Sequence, residues 1–178
     1  MKHAAVAIFS ALLLGILALG ILAVGAPTVQ AAGGGYANKC GGGKILLNAE
    51  EKRTFALHNA ARRDRNLKPL CVHPALQKAA RAHSKDMIER DYFSHDTKGR
   101  NEDACERVRR YGYRWRACGE NIGYDSTPER VFDAWMGSSG HRANILAGRF
   151  REVGIGAHTG NYSGFETTMY TVDFGTRG

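Results

Sequence analysis

Three short segments of this chain carry acid–base and metal-ligating side chains. They are Tyr92-Phe93-Ser94-His95, Gly119-Glu120-Asn121-Ile122 and the stretch from Trp135 to Leu146, which holds Ser138, Ser139 and His141. Two imidazoles and one carboxylate (His95, Glu120 and His141) are a sufficient set for zinc, with ligand distances of about 2.0–2.2 Å and water in the open position. The three residues lie 25 and 21 positions apart, so nothing local forces them together. A second chemistry is nucleophilic. Ser94, Ser138 or Ser139 would attack, with a histidine as base and Glu120 as its orienter. Gly137-Ser138-Ser139-Gly140 is not the Gly-x-Ser-x-Gly elbow, however, and the two serines read more simply as the end of a helix and its turn. A metal-activated water with Glu120 as base is the better enzymatic variant. No residue is assigned as catalytic on this basis. Ser94, Asn121, Ser138 and Ser139 stand as candidate cleft residues beside His95, Glu120 and His141.

The elements that must position these residues are legible from periodicity. A helix is expected from Asn48 or Ala49 to about Asn66, ended by Pro69. A second starts near Pro74, where Leu76, Ala80, His83 and Met87 form one core-facing stripe. On that stripe His83 reads as a hydrogen-bonded core group rather than a ligand. A third, very basic helix covers residues 101–112. The segment from Arg107 to Arg116 holds five arginines interleaved with Tyr111, Tyr113 and Trp115. That mixture could stack on bases, but a solvated face with the aromatics packed inward is the favoured reading. Ser126-Thr-Pro-Glu129 is a helix start, with serine as cap and Glu129 closing a capping box. This helix reaches Ser138, and a short helical turn follows from His141 to Leu146. The C-terminal third changes period: Val153 to His158 and Met169 to Phe174 read as strands, with Gly160–Gly164 as the hairpin loop. Gly119 to Tyr124 supplies a further strand. Helices first and strands late imply an α+β domain with helices packed on an antiparallel sheet.

Composition sets the compartment. A basic start (Met1, Lys2, His3), an uncharged apolar run from Ala4 to Ala26 and the small-residue tail Val29-Gln30-Ala31-Ala32 read as a signal peptide over residues 1–32. The run is also long enough to serve as a retained membrane anchor, and either outcome places the remainder outside the cytosol. Residues 33–46 form a glycine-rich, flexible lead-in, and 47–178 form one domain. Beyond the leader, 24 basic and 17 acidic residues give a net charge of +7. Such a surface favours anionic partners such as wall polymers or lipid headgroups, and it also serves simple solubility. Nucleic acid is a poor partner for an exported protein. Four cysteines in an oxidising compartment make two disulfides, for which three pairings exist. Cys40–Cys71 with Cys105–Cys118 is favoured: the first would pin the N-terminal segment, and the second would close a short loop beside the candidate site. No Cys-x-x-Cys pair supports structural zinc.

The same segments resemble the CAP superfamily of cysteine-rich secretory proteins, antigen 5 and plant pathogenesis-related proteins. The likeness runs from about Leu47 to Phe174. It rests on His58-Asn59-Ala-Ala-Arg62, Ala82-His83-Ser84-x-x-Met87, Tyr92-Phe93-Ser94-His95, Gly119-Glu120-Asn121-Ile122, Gly140-His141-Arg142-x-Asn144-Ile145-Leu146 and Val153-Gly154-Ile155-Gly156, in that order. It is closest to the short, single-domain bacterial branch, for which a monomer is expected. The resemblance implies an α-β-α sandwich with a central antiparallel sheet flanked by helices. It also implies a cleft with two histidines and two acids that can bind a divalent metal. By position these are His95, Glu120 and His141. The second acid falls three residues after Trp135, where this chain has Ser138, so the implied zinc site is weak and completed by water. The function this implies is an exported binding module for a lipid, sterol or wall-derived ligand. A metal-dependent or Ser/His hydrolase and a polyanion binder acting through Arg107–Arg116 are the alternatives.

Overall fold

The computed structural model describes residues 33–178. The leader, and with it the choice between cleavage and anchoring, lies outside the described residues. Six strands and five helices follow one another as β1 (Gly35–Asn38), β2 (Lys44–Leu47), α1 (Ala49–Arg63), β3 (Cys71–Val72), α2 (Pro74–Glu89), α3 (Ala104–Arg110), β4 (Trp115–Asp125), α4 (Pro128–Gly137), α5 (Ser139–Leu146), β5 (Glu152–Tyr162) and β6 (Phe165–Arg177).

The long sheet has the order β3-β5-β6-β4. β5 and β6 form a hairpin and β4 joins β6, both antiparallel. The edge strand β3 departs from the expected all-antiparallel sheet: it pairs parallel to β5 through Cys71↔Glu152 and Val72↔Val153. Alternation along β5 sorts the two faces. Val153 and Ile155 enter the larger core with Phe132 and Trp135 of α4, Ile145 of α5, Phe150 and Phe174. Gly154 and Gly156 face α2 instead. A Cβ at Gly154 would stand 2.0 Å from the Leu76 carbonyl carbon, and one at Gly156 would stand 2.2 Å from Ala80 O. Only glycine lets the helix backbone lie this close to the strand. The sheet is therefore a middle layer, with α2 and α3 on one side and α1, α4 and α5 on the other. This is the α-β-α arrangement of an α+β domain.

Several boundaries differ from expectation, each for a local reason. α1 ends at Arg63 rather than Asn66, because Asn66 takes a left-handed φ of 55° and Leu67 N–H turns back to Arg62 O at 3.0 Å. The cap of α4 is Thr127, whose hydroxyl accepts from Arg130 N–H, and not Ser126. α5 starts at Ser139, two residues before the expected turn. The β5–β6 loop is only Ser163-Gly164, both at positive φ (50° and 88°), so the strands run on through Gly160 and Tyr162. The glycine-rich segment, read as a flexible lead-in, folds on itself: β1 and β2 pair antiparallel, and Gly41, Gly42 and Gly43 make the turn at φ 80°, 102° and 78°. Two disulfides close the chain, Cys40–Cys71 and Cys105–Cys118, and no free cysteine remains among the described residues. The first ties this hairpin to β3, and the second ties α3 to β4 beside Glu120.

Candidate functional site

The three candidate ligands come from three elements. His95 lies in the loop between α2 and α3, Glu120 on β4 and His141 in the first turn of α5. Ordering the loop is the first task, because nothing in its sequence makes a helix or strand. His83, buried on α2, bonds through Nε2 to Ser94 O at 2.9 Å. Since a carbonyl only accepts, Nε2 carries the proton. Arg107 of α3 donates from Nη1 to His95 O at 2.9 Å and to Thr97 Oγ1. His83 thus takes the structural part that its apolar stripe suggested. Arg107 belongs by sequence to the basic segment that reads as a solvated face, yet it is 1% exposed and braces the loop from below.

Glu120 sits beneath His95. Its Oε1 is 2.7 Å from His95 Nδ1, and its Oε2 takes Arg107 Nη2. The carboxylate is buried with Arg107, while the His95 side chain is half exposed. Burial alone would raise the Glu120 carboxyl, but the hydrogen bond from His95 and the charge of Arg107 outweigh it and hold the group below its ordinary value. The same hydrogen bond raises the His95 imidazole above its usual range, against a smaller opposing effect of burial. His141 moves the other way, lowered by burial and by the neighbouring His95. Across the sheet, Glu120 is in register with Asp173 of β6. That carboxyl is fully buried, neither oxygen has a hydrogen-bond partner, and burial followed by the charge of Glu120 pushes it well up.

His95 and His141 line one open cleft of ≈510 Å3, together with Phe93, Ser94, Asp96 and Ile122. The structure therefore unites the two histidines and Ser94 there and sets Glu120 behind His95. Asn121 points to the opposite face of the sheet, as strand alternation requires. It donates to His141 O at 3.1 Å and accepts from Asn144 Nδ2 at 3.0 Å, and Asn144 also donates to Glu120 O. These bonds fix α5, and with it His141, against β4. Ser138 and Ser139 form the junction of α4 and α5 outside the cleft lining, and Ser94 Oγ accepts from Asp96 N–H. Among the described residues no serine side chain is held by a histidine base. The acid that does line the cleft is Asp96, which the candidate set did not include. Its position next to His95 was the available signal.

Among the described residues, the three-member ligand cluster with atoms within 4.8 Å of one another is Cys40, Cys71 and Glu152. Its two sulfurs are joined to each other, so it offers no thiolate. At the cleft both Glu120 oxygens are already engaged. The groups left to face a cation are the His95 Nε2, the His141 ring, the Asp96 carboxylate and water. The aromatics of the Arg107–Arg116 segment have partners within the fold. Tyr113 is buried against Glu152, Trp115 donates to Cys105 O and carries Arg109 on its face, and Tyr111 lies under Arg110. Among the described residues no helix is long and apolar enough to cross a membrane.

Comparison with known proteins identifies the family. Residues 55–174 match the model of the cysteine-rich secretory protein family, CAP. The chain is 40% identical over 111 residues to the uncharacterized protein YkwD of Bacillus subtilis, covering 62% of this chain and 43% of that one. It is 30% identical over 122 residues to the uncharacterized membrane protein YlbC of the same organism, covering 67% and 35%. It spans less than half the length of both relatives. Among solved structures, an extracellular SCP-domain protein of Bacillus anthracis superposes with a TM-score of 0.62 at 30% identity, over 72% of this chain and 40% of that one. An outer surface protein of Borrelia burgdorferi shares the fold, with a TM-score of 0.63 at 20% identity, over 72% and 93%. By the family match, which covers more than half of its length, this chain belongs to the cysteine-rich secretory protein (CAP) family.

Proposed function

We propose that this chain is a monomeric binding module acting outside the cytosol, whose His95–His141 cleft takes a divalent cation, zinc by donor type, together with a lipid or cell-wall-derived ligand. The observation that carries the reading is the 2.7 Å contact of Glu120 Oε1 with His95 Nδ1. A carboxylate on one imidazole nitrogen fixes the ring and leaves Nε2 for a cation, the usual support for a metal-bound histidine. Glu120 therefore orients rather than ligates, and His95 and His141 hold the cation, with water and the Asp96 carboxylate of the cleft wall left to complete the shell. Such a two-histidine site is weak. A bound cation would supply a Lewis-acid contact for an oxygen of the ligand.

The apolar part of the ligand has a surface to meet. Phe93 lines the cleft, and its ring stands edge-on to Tyr124 at 5.2 Å. Tyr124 in turn meets Tyr162 and Phe165 at 5.2 and 6.2 Å. Phe93, Tyr124 and Phe165 are all exposed, so an aromatic strip leads out of the cleft. Among the described residues no Ser–His side-chain pair is hydrogen-bonded, so the binding reading is the one pursued. A thermal-shift titration with zinc tests the proposal. A zinc-dependent rise in melting temperature is expected in the wild type and none in a folded His95→Ala, His141→Ala double mutant, with about 2.7 kcal/mol of stabilisation at a hundredfold excess over Kd. Equal shifts in both would overturn it.

A further inference from the structure

Arg107 and His83 each have one nitrogen that the cleft does not use. A second cavity, of ≈350 Å3, opens between α2 and α3 and shares no lining residue with the His95–His141 cleft. His83, Arg90, Arg100, Arg107, Arg110 and Tyr111 are among its walls. The two Nη atoms of Arg107 are taken by His95, Thr97 and Glu120, but its buried Nε–H has no acceptor. His83 donates from Nε2 to Ser94 O, and burial holds the ring neutral with a pKa of about 4. Its Nδ1 is therefore a bare lone pair, also buried and without a donor. One unmet donor and one unmet acceptor belong to side chains that are each 1% exposed and that line the same cavity.

The charges around them narrow the ligand class. Lys85 pairs with Glu89 and Arg90 with Asp86 on the rim, while Arg110 is held by Glu102 and Arg107 by Glu120. Arg100 lines the cavity and, among the described residues, is in no ion pair. A guanidinium outside any ion pair and the Arg107 Nε–H call for an oxyanion, and the His83 lone pair calls for an O–H donor on it. A carboxylate or sulfate offers no such donor at mildly acid pH, whereas a phosphate monoanion, which keeps at least one proton, offers both.

We propose that this cavity is a binding site for a phosphate monoanion, its anionic oxygens on Arg100 and Arg107 Nε–H and a P–O–H directed at His83 Nδ1. The group can arrive as free phosphate or as a sugar phosphomonoester. Calorimetric titration at pH 5.5, with ionic strength held by chloride, tests the site using inorganic phosphate, glucose 1-phosphate and sulfate. Saturable phosphate binding is expected, with sulfate about tenfold weaker for want of the donor. Arg100→Ala should weaken phosphate about tenfold. Arg109→Ala, which removes an equal charge from the ring of Trp115 outside the cavity, should leave it unchanged. Tighter binding of glucose 1-phosphate than of phosphate marks the ester as the source, and the reverse marks the free ion. The proposal fails if phosphate gives no saturable heat, if sulfate binds equally well, or if Arg100→Ala binds as the wild type does. The His95→Ala, His141→Ala double mutant should keep phosphate binding, so this site and the zinc cleft stand or fall separately.

Discussion

His95 and Glu120, 25 positions apart in sequence, are joined at 2.7 Å between Nδ1 and Oε1, while Arg107 closes on the other carboxylate oxygen. One buried acid thus serves an exposed histidine above it and a buried arginine below it. The His95 imidazole is raised by that contact, and the guanidinium is neutralised where water cannot reach it.

Glu120→Gln separates the two roles. The His95 pKa, followed by its ring-proton shift in an NMR titration, should fall, because the carboxylate that raises it is gone. Stability should fall too, by about 3–5 kcal/mol, since Arg107 is left buried and unpaired. An unchanged His95 titration would show that the 2.7 Å contact does not govern the ring.

His58 predicts the acid limb of the stability curve. It is wholly buried against Phe132, Trp135 and Phe174, with Nδ1 on Thr54 O, and burial drops its pKa to about 4. The unfolded chain takes up a proton near pH 6.5 that the folded chain refuses until about pH 4. The cost is therefore absent above about pH 6.5 and grows as the pH falls, reaching on the order of 3 kcal/mol near pH 4. The folded pKa of His83 is also about 4, so the two add to one slope. Denaturant midpoints measured from about pH 7 to about pH 4 should decline, and His58→Leu should flatten the decline while lowering stability at neutral pH.

Gly156→Ala tests the α2–β5 contact. The added methyl would stand 2.2 Å from Ala80 O and 2.4 Å from its carbonyl carbon, both backbone atoms of α2 that cannot swing aside. A loss of about 3 kcal/mol or failure to fold is expected, read by urea unfolding. Gly137→Ala, with open space at its Cβ, is the control that should stay within about 0.5 kcal/mol.

Cys105→Ser with Cys118→Ser opens a 13-residue loop between α3 and β4. Roughly 3 kcal/mol of stability should be lost by the loop-entropy estimate. Zinc shifts should persist, because the hydrogen bonds to Glu120 and His95 remain. Their disappearance would mean that the disulfide also sets Arg107 in place.

Much of this protein is written in local pattern. Capping residues, Pro74, Pro128 and the change from helical to strand period placed the helices and the C-terminal hairpin within a few residues. The motif segments carried the family and the α-β-α architecture. The cysteine count, the oxidising compartment and loop lengths favoured the pairing that the structure holds, Cys40–Cys71 with Cys105–Cys118. These features need only neighbours in sequence. The division of labour within the site needs neighbours in space. Strand alternation turns Glu120 toward α2 and Asn121 toward α5, so adjacent residues serve opposite faces of the sheet. The contacts of Glu120 with His95 and Arg107 depended on a loop with no periodic signal and on an arginine that looked like part of a solvated stripe. Asp173 reads as one acid in an apolar strand until register sets it opposite Glu120. The glycine-rich segment became a hairpin because each end met a partner strand and a disulfide anchored it, a long-range gain that no local composition records.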